Sequence, residues 1–211
     1  MTEAAVPSAA TDAPLPDFLP PALAALARTQ PFARGETLFR RGQRPTRMLF
    51  VAAGEVHLLR HGLHGQPVVF QRSGAGSFLA EPSIDSARYH CDALAVRAGR
   101  ACVFPLADFR GALDADPDFA ARWRLFLARE IRRLRARAER LAMRSVRERL
   151  VHYIECEGED GTLAWPGELK PLAAELGVTH EALYRALARL AADGLLERTP
   201  GCLRLIARGR L

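Results

Sequence analysis

The chain has 211 residues, 49% of them apolar and 26% charged, enough for one large domain or two small ones around a real core. No stretch approaches 18 consecutive apolar residues, which excludes a membrane-spanning helix; Cys91, Cys102, Cys156 and Cys202 form no C-x-x-C pair, which excludes a zinc ribbon, a thioredoxin-type site and a dense disulfide scaffold. The net charge of +6 is concentrated: residues 1–117 carry 12 Arg against 11 acids, 118–144 carry 9 Arg against 3, and 145–211 carry 9 basic against 10 acidic groups. Such a balance permits a nucleic-acid partner without establishing one. The first residues lack the basic start and compact apolar run of a secretory signal, so a reduced, cytoplasmic protein is expected.

Residues 1–16 are rich in Ala, Pro, Thr and Ser without periodicity and read as a disordered tail. A short helix is predicted near Ala22–Arg28, started by Pro20-Pro21. From Phe32 to about Leu106, short apolar runs alternate with glycines: Thr37–Phe39, Met48–Val51, Val56–Leu59, Pro67–Phe70, Asp92–Val96 and Ala101–Pro105, punctuated by Gly35, Gly42, Gly54, Gly65, Gly74 and Gly76. Short strands with turn signals at this spacing predict an antiparallel barrel or jelly roll.

After Pro117 the texture becomes helical, with no Gly or Pro from Asp118 to Arg144. Ala120, Leu127, Leu134 and Leu141 recur every seven residues, with Ile131 and Ala138 between them; this is the 3.5-residue seam of a helix that pairs with another helix. Phe119, Trp123 and Phe126 lie on a neighbouring face suited to the strand domain. A helix with two apolar faces is expected to cover one with its own domain and the other with a second copy, although one broad core face in a monomer gives the same pattern. The Arg run between them reads as a solvated face.

Residues 145–211 read as three helices and a hairpin. Val146–Ile154 is amphipathic; an acidic loop Glu155–Asp160, a helix near Pro171–Leu176, a turn at Gly177 and a helix from about His180 to Asp193 follow. Gly194 is a left-handed stop, and strands Leu195–Arg198 and Leu203–Ile206 flank a Pro200-Gly201 turn.

The strongest signal lies in Leu169–Leu190. A helix-turn-helix needs a small residue at the crossing, a turn residue tolerant of positive φ, and apolar locks; Ala173, Gly177, and Leu172, Leu176, Val178, Leu183 and Leu187 supply them. Thr179 is a good N-cap, which leaves His180, Glu181, Tyr184 and Arg185 on one exposed face. The first turns of such a helix reach base edges in the major groove, where Arg bonds guanine bidentately and Glu accepts from the cytosine amino group. The competing reading is a packing unit that never meets DNA.

With these residues in view, the chain after its tail resembles the cyclic-AMP receptor protein and fumarate–nitrate reduction regulator family of bacterial transcription factors. The resemblance rests on Arg34-Gly35-Glu36-Thr37-Leu38-Phe39-Arg40-Arg41-Gly42, Phe50-Val51-Ala52-Ala53-Gly54-Glu55-Val56, His64-Gly65-Gln66 and Gly76-Ser77-Phe78-Leu79-Ala80-Glu81, together with the seam helix and the C-terminal unit. It implies an α+β fold with a cyclic-nucleotide-binding-type β-roll (jelly roll) sensor over 17–117, a dimerisation helix over 118–144 with its seam at Leu127, Ile131, Leu134, Ala138 and Leu141, and a winged helix-turn-helix over 145–211. It further implies a homodimer on twofold-symmetric double-stranded DNA, RNA polymerase as a partner, and no enzymatic activity. The family's recognition-helix Glu and Arg match Glu181 and Arg185, with His180 where many members have Arg; with Thr179 and Tyr184 from the helix reading above, these are the expected DNA-binding residues.

The effector site transfers less completely. Glu81 matches the family's first phosphate-binding acid, but Ala80 stands where a Gly is expected, and the Arg-Ser pair falls on His90-Cys91-Asp92, where Asp92 repels a phosphate. Glu81, Ser83, Arg88, His90 and Cys91 remain the candidate effector pocket, and the substitutions argue against cyclic AMP. No cysteine precedes Cys91, which argues against an N-terminal iron–sulfur cluster. His57, His61 and His64 crowd one hairpin, so a metal- or haem-binding barrel, as sensor or enzyme, stands as the alternative; surface histidines explain the same residues. G-x-S-x-G, Walker and H-E-x-x-H motifs are absent, and no catalytic or metal-ligating residue is assigned.

Overall fold

The computed structural model describes residues 12–165 and 167–206. Two compact units divide after Trp123. The first holds a short helix α1 (Pro21–Ala25), strands β1 (Arg28–Phe32), β2 (Thr37–Phe39), β3 (Arg47–His61), β4 (Pro67–Gly74), β5 (Ser77–Leu79) and β6 (Asp92–Pro105), helix α2 (Leu106–Ala115) and the start of helix α3 (Pro117–Ala142). All strand pairings are antiparallel, in the order β1-β6-β3-β4, with β2 also on β6 and β5 also on β3.

The predicted strands are present, but several are fused. Met48–Val51 and Val56–Leu59 are two ends of β3, and Asp92–Val96 and Ala101–Pro105 are two ends of β6. Gly54 does not reverse the chain: it takes φ +92° within β3, where register shifts between Val51, Ala53, Glu55 and Val56 mark bulges. A bulge bends and twists a strand without ending it, and that curvature lets β3 and β6 wrap a single core. Leu49, Val51, Val56, Leu58, Leu79 and Ala93 fill it, with Phe39 stacked on Tyr89 at 4.0 Å.

A second apolar layer joins the strands to the helices of this unit. Phe78 meets Phe50 at 5.1 Å and Trp123 at 5.2 Å, while Phe109 of α2 meets Trp123 at 5.0 Å and Phe119 at 5.6 Å. Phe119 and Trp123 thus pack on the strand domain as expected. Of the predicted tail, residues 1–11 lie outside the described residues. Residues 12–16 are held rather than loose: Asp12 forms an ion pair with Arg100, and Ala13 N–H donates to Ala52 at 2.8 Å.

The second unit contains the rest of α3, helices α4 (Val146–Glu157), α5 (Leu169–Leu176) and α6 (His180–Ala192), and strands β7 (Thr162–Ala164), β8 (Leu196–Thr199) and β9 (Cys202–Leu205) in the order β7-β9-β8. Ser145 and Glu148 close a capping box on α4, so its start is chemically defined. Leu150, Ile154, Leu172, Leu176, Leu183, Leu187, Leu190 and Leu203 form its core. Gly177 ends α5 at φ +65°, and a Cβ there would meet only Leu141 Cδ2 at 3.5 Å and Arg149 Nη1 at 3.7 Å. Space exists, so Gly177→Ala is expected to lose only the left-handed backbone penalty, about 1–2 kcal/mol. A lower urea midpoint with an unchanged slope would report it.

Candidate nucleic-acid interface

Helix α6 is sided by its own sequence. Leu183, Ala186, Leu187 and Leu190 are buried, whereas Thr179, His180, Glu181, Tyr184 and Arg185 are all exposed. Thr179 Oγ1 accepts from Ala182 N–H at 3.2 Å, which fixes the first turn. His180 Nδ1 lies 2.9 Å from Glu181 Oε1. The Glu181 carboxyl is held below its ordinary range by its own backbone N–H, the Thr179 hydroxyl, His180 and Arg185, so near neutral pH it is an anionic acceptor. Arg185 has no hydrogen-bond or ion-pair partner among the described residues, which leaves its guanidinium fork free for an external acceptor. The five predicted residues are therefore together, exposed and mounted on a buried leucine spine.

Three arginines, of which Arg140 belongs to the run expected to face solvent, act as struts behind this face. Arg149 Nε donates to the Met143 carbonyl at 3.1 Å and Nη1 to Leu176 at 3.2 Å, closing the chain after α3 and the end of α5 together. Arg147 ties α4 to Asp193 at the end of α6, at 3.1 Å. Arg140 is 2% exposed, lies 3.7 Å from Glu157 and 3.4 Å from Glu175, and sits 4.9 Å over the Tyr153 ring. The Arg run is thus not one solvated face.

The seam residues behave differently from the core. Ile131 and Leu134 are each 49% exposed and Leu141 60%; Ala138 is exposed and Leu127 half-buried. These residues form an exposed apolar stripe along α3.

Of the effector candidates, Glu81 lies close enough to Cys91 for its carboxylate to act on the thiol. Glu81 opens a 3-10 turn in which Ser83 is buried. Arg88 Nη1 donates to the Gly42 carbonyl at 2.8 Å, and His90 Nε2 lies 3.0 Å from Ser86 Oγ. Cys91 is buried in the roll core, and its thiol is pushed up by that burial against the pull of Arg60. Asp92 accepts from Arg41 N–H at 2.7 Å and lies 3.4 Å from His61. His57 pairs with Glu55 at 2.8 Å, and among the described residues no three His, Cys, Asp or Glu side chains converge as metal ligands. No helix of the described residues is long and apolar enough to cross a membrane.

Residues 29–116 match the family described as the cyclic nucleotide-binding domain, so the roll is a domain of that class. A curated relative, "Probable transcriptional regulator flp" of Lacticaseibacillus casei, is 27% identical over 164 residues, spanning 75% of this chain and 74% of that protein. Two solved structures share the fold: FixK2 from Bradyrhizobium japonicum (18% identity, TM-score 0.58, 86% of this chain and 93% of that one) and a CRP-family transcriptional regulator from Thermus thermophilus (19%, 0.50, 84% and 92%). The family match thus covers the roll, and the rest of the chain is similar to a transcriptional regulator and to solved structures of this fold.

Proposed function

We propose that this chain is a homodimeric transcriptional regulator, without enzymatic activity, whose second unit binds double-stranded DNA as a winged helix and whose roll receives a signal. The observation that carries the reading is the exposed His180–Glu181–Tyr184–Arg185 face at the start of α6, backed by a fully buried leucine spine. Base readout uses such polar side chains at the start of the second helix of a helix-turn-helix unit.

The seam supports the dimer and its direction. Spacings of four from Leu127 to Ile131 and three from Ile131 to Leu134 make Leu127, Leu134 and Leu141 d positions, with Ile131 and Ala138 at a. A β-branched residue at a with Leu at d favours two parallel strands. In that arrangement Glu130 of one copy faces Arg135 of the other, an attractive g–e′ pair. A parallel pair delivers two copies of α6 to the same end, as a twofold-symmetric site with half-sites one helical turn apart demands. A signal at the roll would act by changing the spacing of the two α6 helices, with RNA polymerase as the partner at the promoter.

Selection of bound sequences from random duplex DNA at near-physiological salt tests the reading. Recovery of a twofold-symmetric site is expected. Against that site, Arg185→Ala should weaken binding by about 1–3 kcal/mol and relax one base position per half-site. Equal discrimination by the variant and the original chain, measured by fluorescence anisotropy against a scrambled duplex, would remove Arg185 from the readout.

A further inference from the structure

On the face of α3 turned away from the seam lies an open cleft of about 570 Å³, lined by Phe126, Arg129, Arg132 and Arg133 of α3 and by Cys156 and Glu157 of α4. At 3.6 residues per turn, Arg129 and Arg133 each fall nearly opposite Ile131, so pairing through the seam leaves the cleft open. Among the described cysteines only Cys156 is exposed; Cys91 is buried, and Cys102 and Cys202 are half-buried.

The thiol has a base beside it. His152, one turn earlier on α4, places Nδ1 3.6 Å from Cys156 Sγ. Its Nε2 lies at the same distance from Sγ but 3.0 Å from Glu139 Oε2 on α3. An ionised carboxylate can only accept, so Nε2 carries the hydrogen and Nδ1 is left unprotonated, 3.6 Å from the sulfur. Nucleophile, base and orienting acid thus stand in sequence. Arg133 is engaged with Glu130 and Glu157, whereas Arg129 and Arg132 have no ion-pair partner among the described residues.

We propose that Cys156 is a modification site for anionic low-molecular-weight disulfides, with His152 as base, Glu139 as its orienting partner, and Arg129 and Arg132 as the anion-steering groups. Cys156 sulfur attacks one sulfur of the disulfide while its proton passes to His152 Nδ1. The S–S bond breaks, a mixed disulfide forms on Cys156, and the departing thiolate takes the proton and leaves as a free thiol. The Cys156 sulfur is oxidised and the departing sulfur reduced, so the exchange balances with no further reactant. Burial and the carboxylates of Glu157, Glu139 and Glu155 push the thiol up against the pull of Arg140, so the resting group is protonated and the neighbouring base is what the exchange requires.

The test is mass spectrometry of the full chain over time with glutathione disulfide, which is anionic, or cystamine, which is cationic, followed by peptide mapping. A single adduct on Cys156 is expected, absent in Cys156→Ser. His152→Gln should slow both reagents by roughly tenfold or more, since it removes the base. The exposed pair Arg129→Gln/Arg132→Gln should slow glutathione disulfide by about tenfold at low salt and leave cystamine equal or faster. An adduct on another cysteine, or none, overturns the site. Unchanged rates in His152→Gln overturn the base, and equal slowing of both reagents by the arginine pair overturns the steering.

Discussion

Gly99→Ala is expected to cost the roll about 3 kcal/mol or more, because no side-chain movement can make room for it. A Cβ at Gly99 would lie 1.9 Å from the Ala53 carbonyl oxygen, 2.5 Å from Ala53 carbon and 2.7 Å from Gly54 Cα. All three are backbone atoms of the bulged middle of β3, so either β3 or β6 must leave its register. Gly54 closes the approach from the other side: its Cβ would stand 2.8 Å from Ala98 O and from Gly99 Cα. Gly42→Ala is the matched control, since it has a positive φ, +85°, but meets nothing within 4 Å and should lose only the backbone penalty of about 1–2 kcal/mol. The two tryptophans allow a local readout. Trp123 sits in the aromatic layer of the roll, and Trp165 is buried in the core of the second unit. In a Trp165→Phe background, urea unfolding followed by Trp123 fluorescence should shift strongly for Gly99→Ala and modestly for Gly42→Ala. Equal shifts would show that the two strands are not in this close contact.

That pair of glycines, Gly54 and Gly99, also shows where a sequence pattern stops informing. Gly54 reads as a turn because glycine between two apolar runs most often is one, yet here the chain continues straight through it as a bulge. Which outcome holds is decided by Gly99, 45 residues away, and by the close crossing of two long strands. Strand β1 escapes notice for a related reason: Arg-Thr-Gln-Pro-Phe buries only Phe32, and its proline is tolerable because the strand is an edge. Helix α2 buries only Leu106 and Phe109, too few to print a period on ten residues. By contrast α6 is legible throughout, since its cap, its leucines and the glycine before it are all local signals that agree. The five exposed residues of the proposed DNA face follow from that agreement. Arg140 does not: an arginine among eight in one helix carries no mark of burial until α4 and α5 close over it.

Leu134→Glu should convert the protein to monomers and reduce affinity for its twofold-symmetric site by about 10²–10⁴-fold, the range set by losing the tethering of one half-site contact to the other. The substitution is clean because Leu134 is 49% exposed within its own chain and belongs to neither core cluster. Its cost therefore falls on the pairing, where a dimer would bring two carboxylates together at facing d positions in an apolar seam. Desolvating such a pair without counter-charges is worth several kcal/mol, more than one leucine layer supplies. Arg132→Gln, on a different side of α3, should leave the dimer intact. Sedimentation equilibrium distinguishes the two variants directly, and Trp165 fluorescence reports whether the second unit remains folded. Residual binding to an isolated half-site, with lost preference for the full site, is the expected signature of a monomer whose α6 still reads bases. A Leu134→Glu protein that sediments as a dimer would place the partner surface elsewhere than the Leu127–Leu141 stripe.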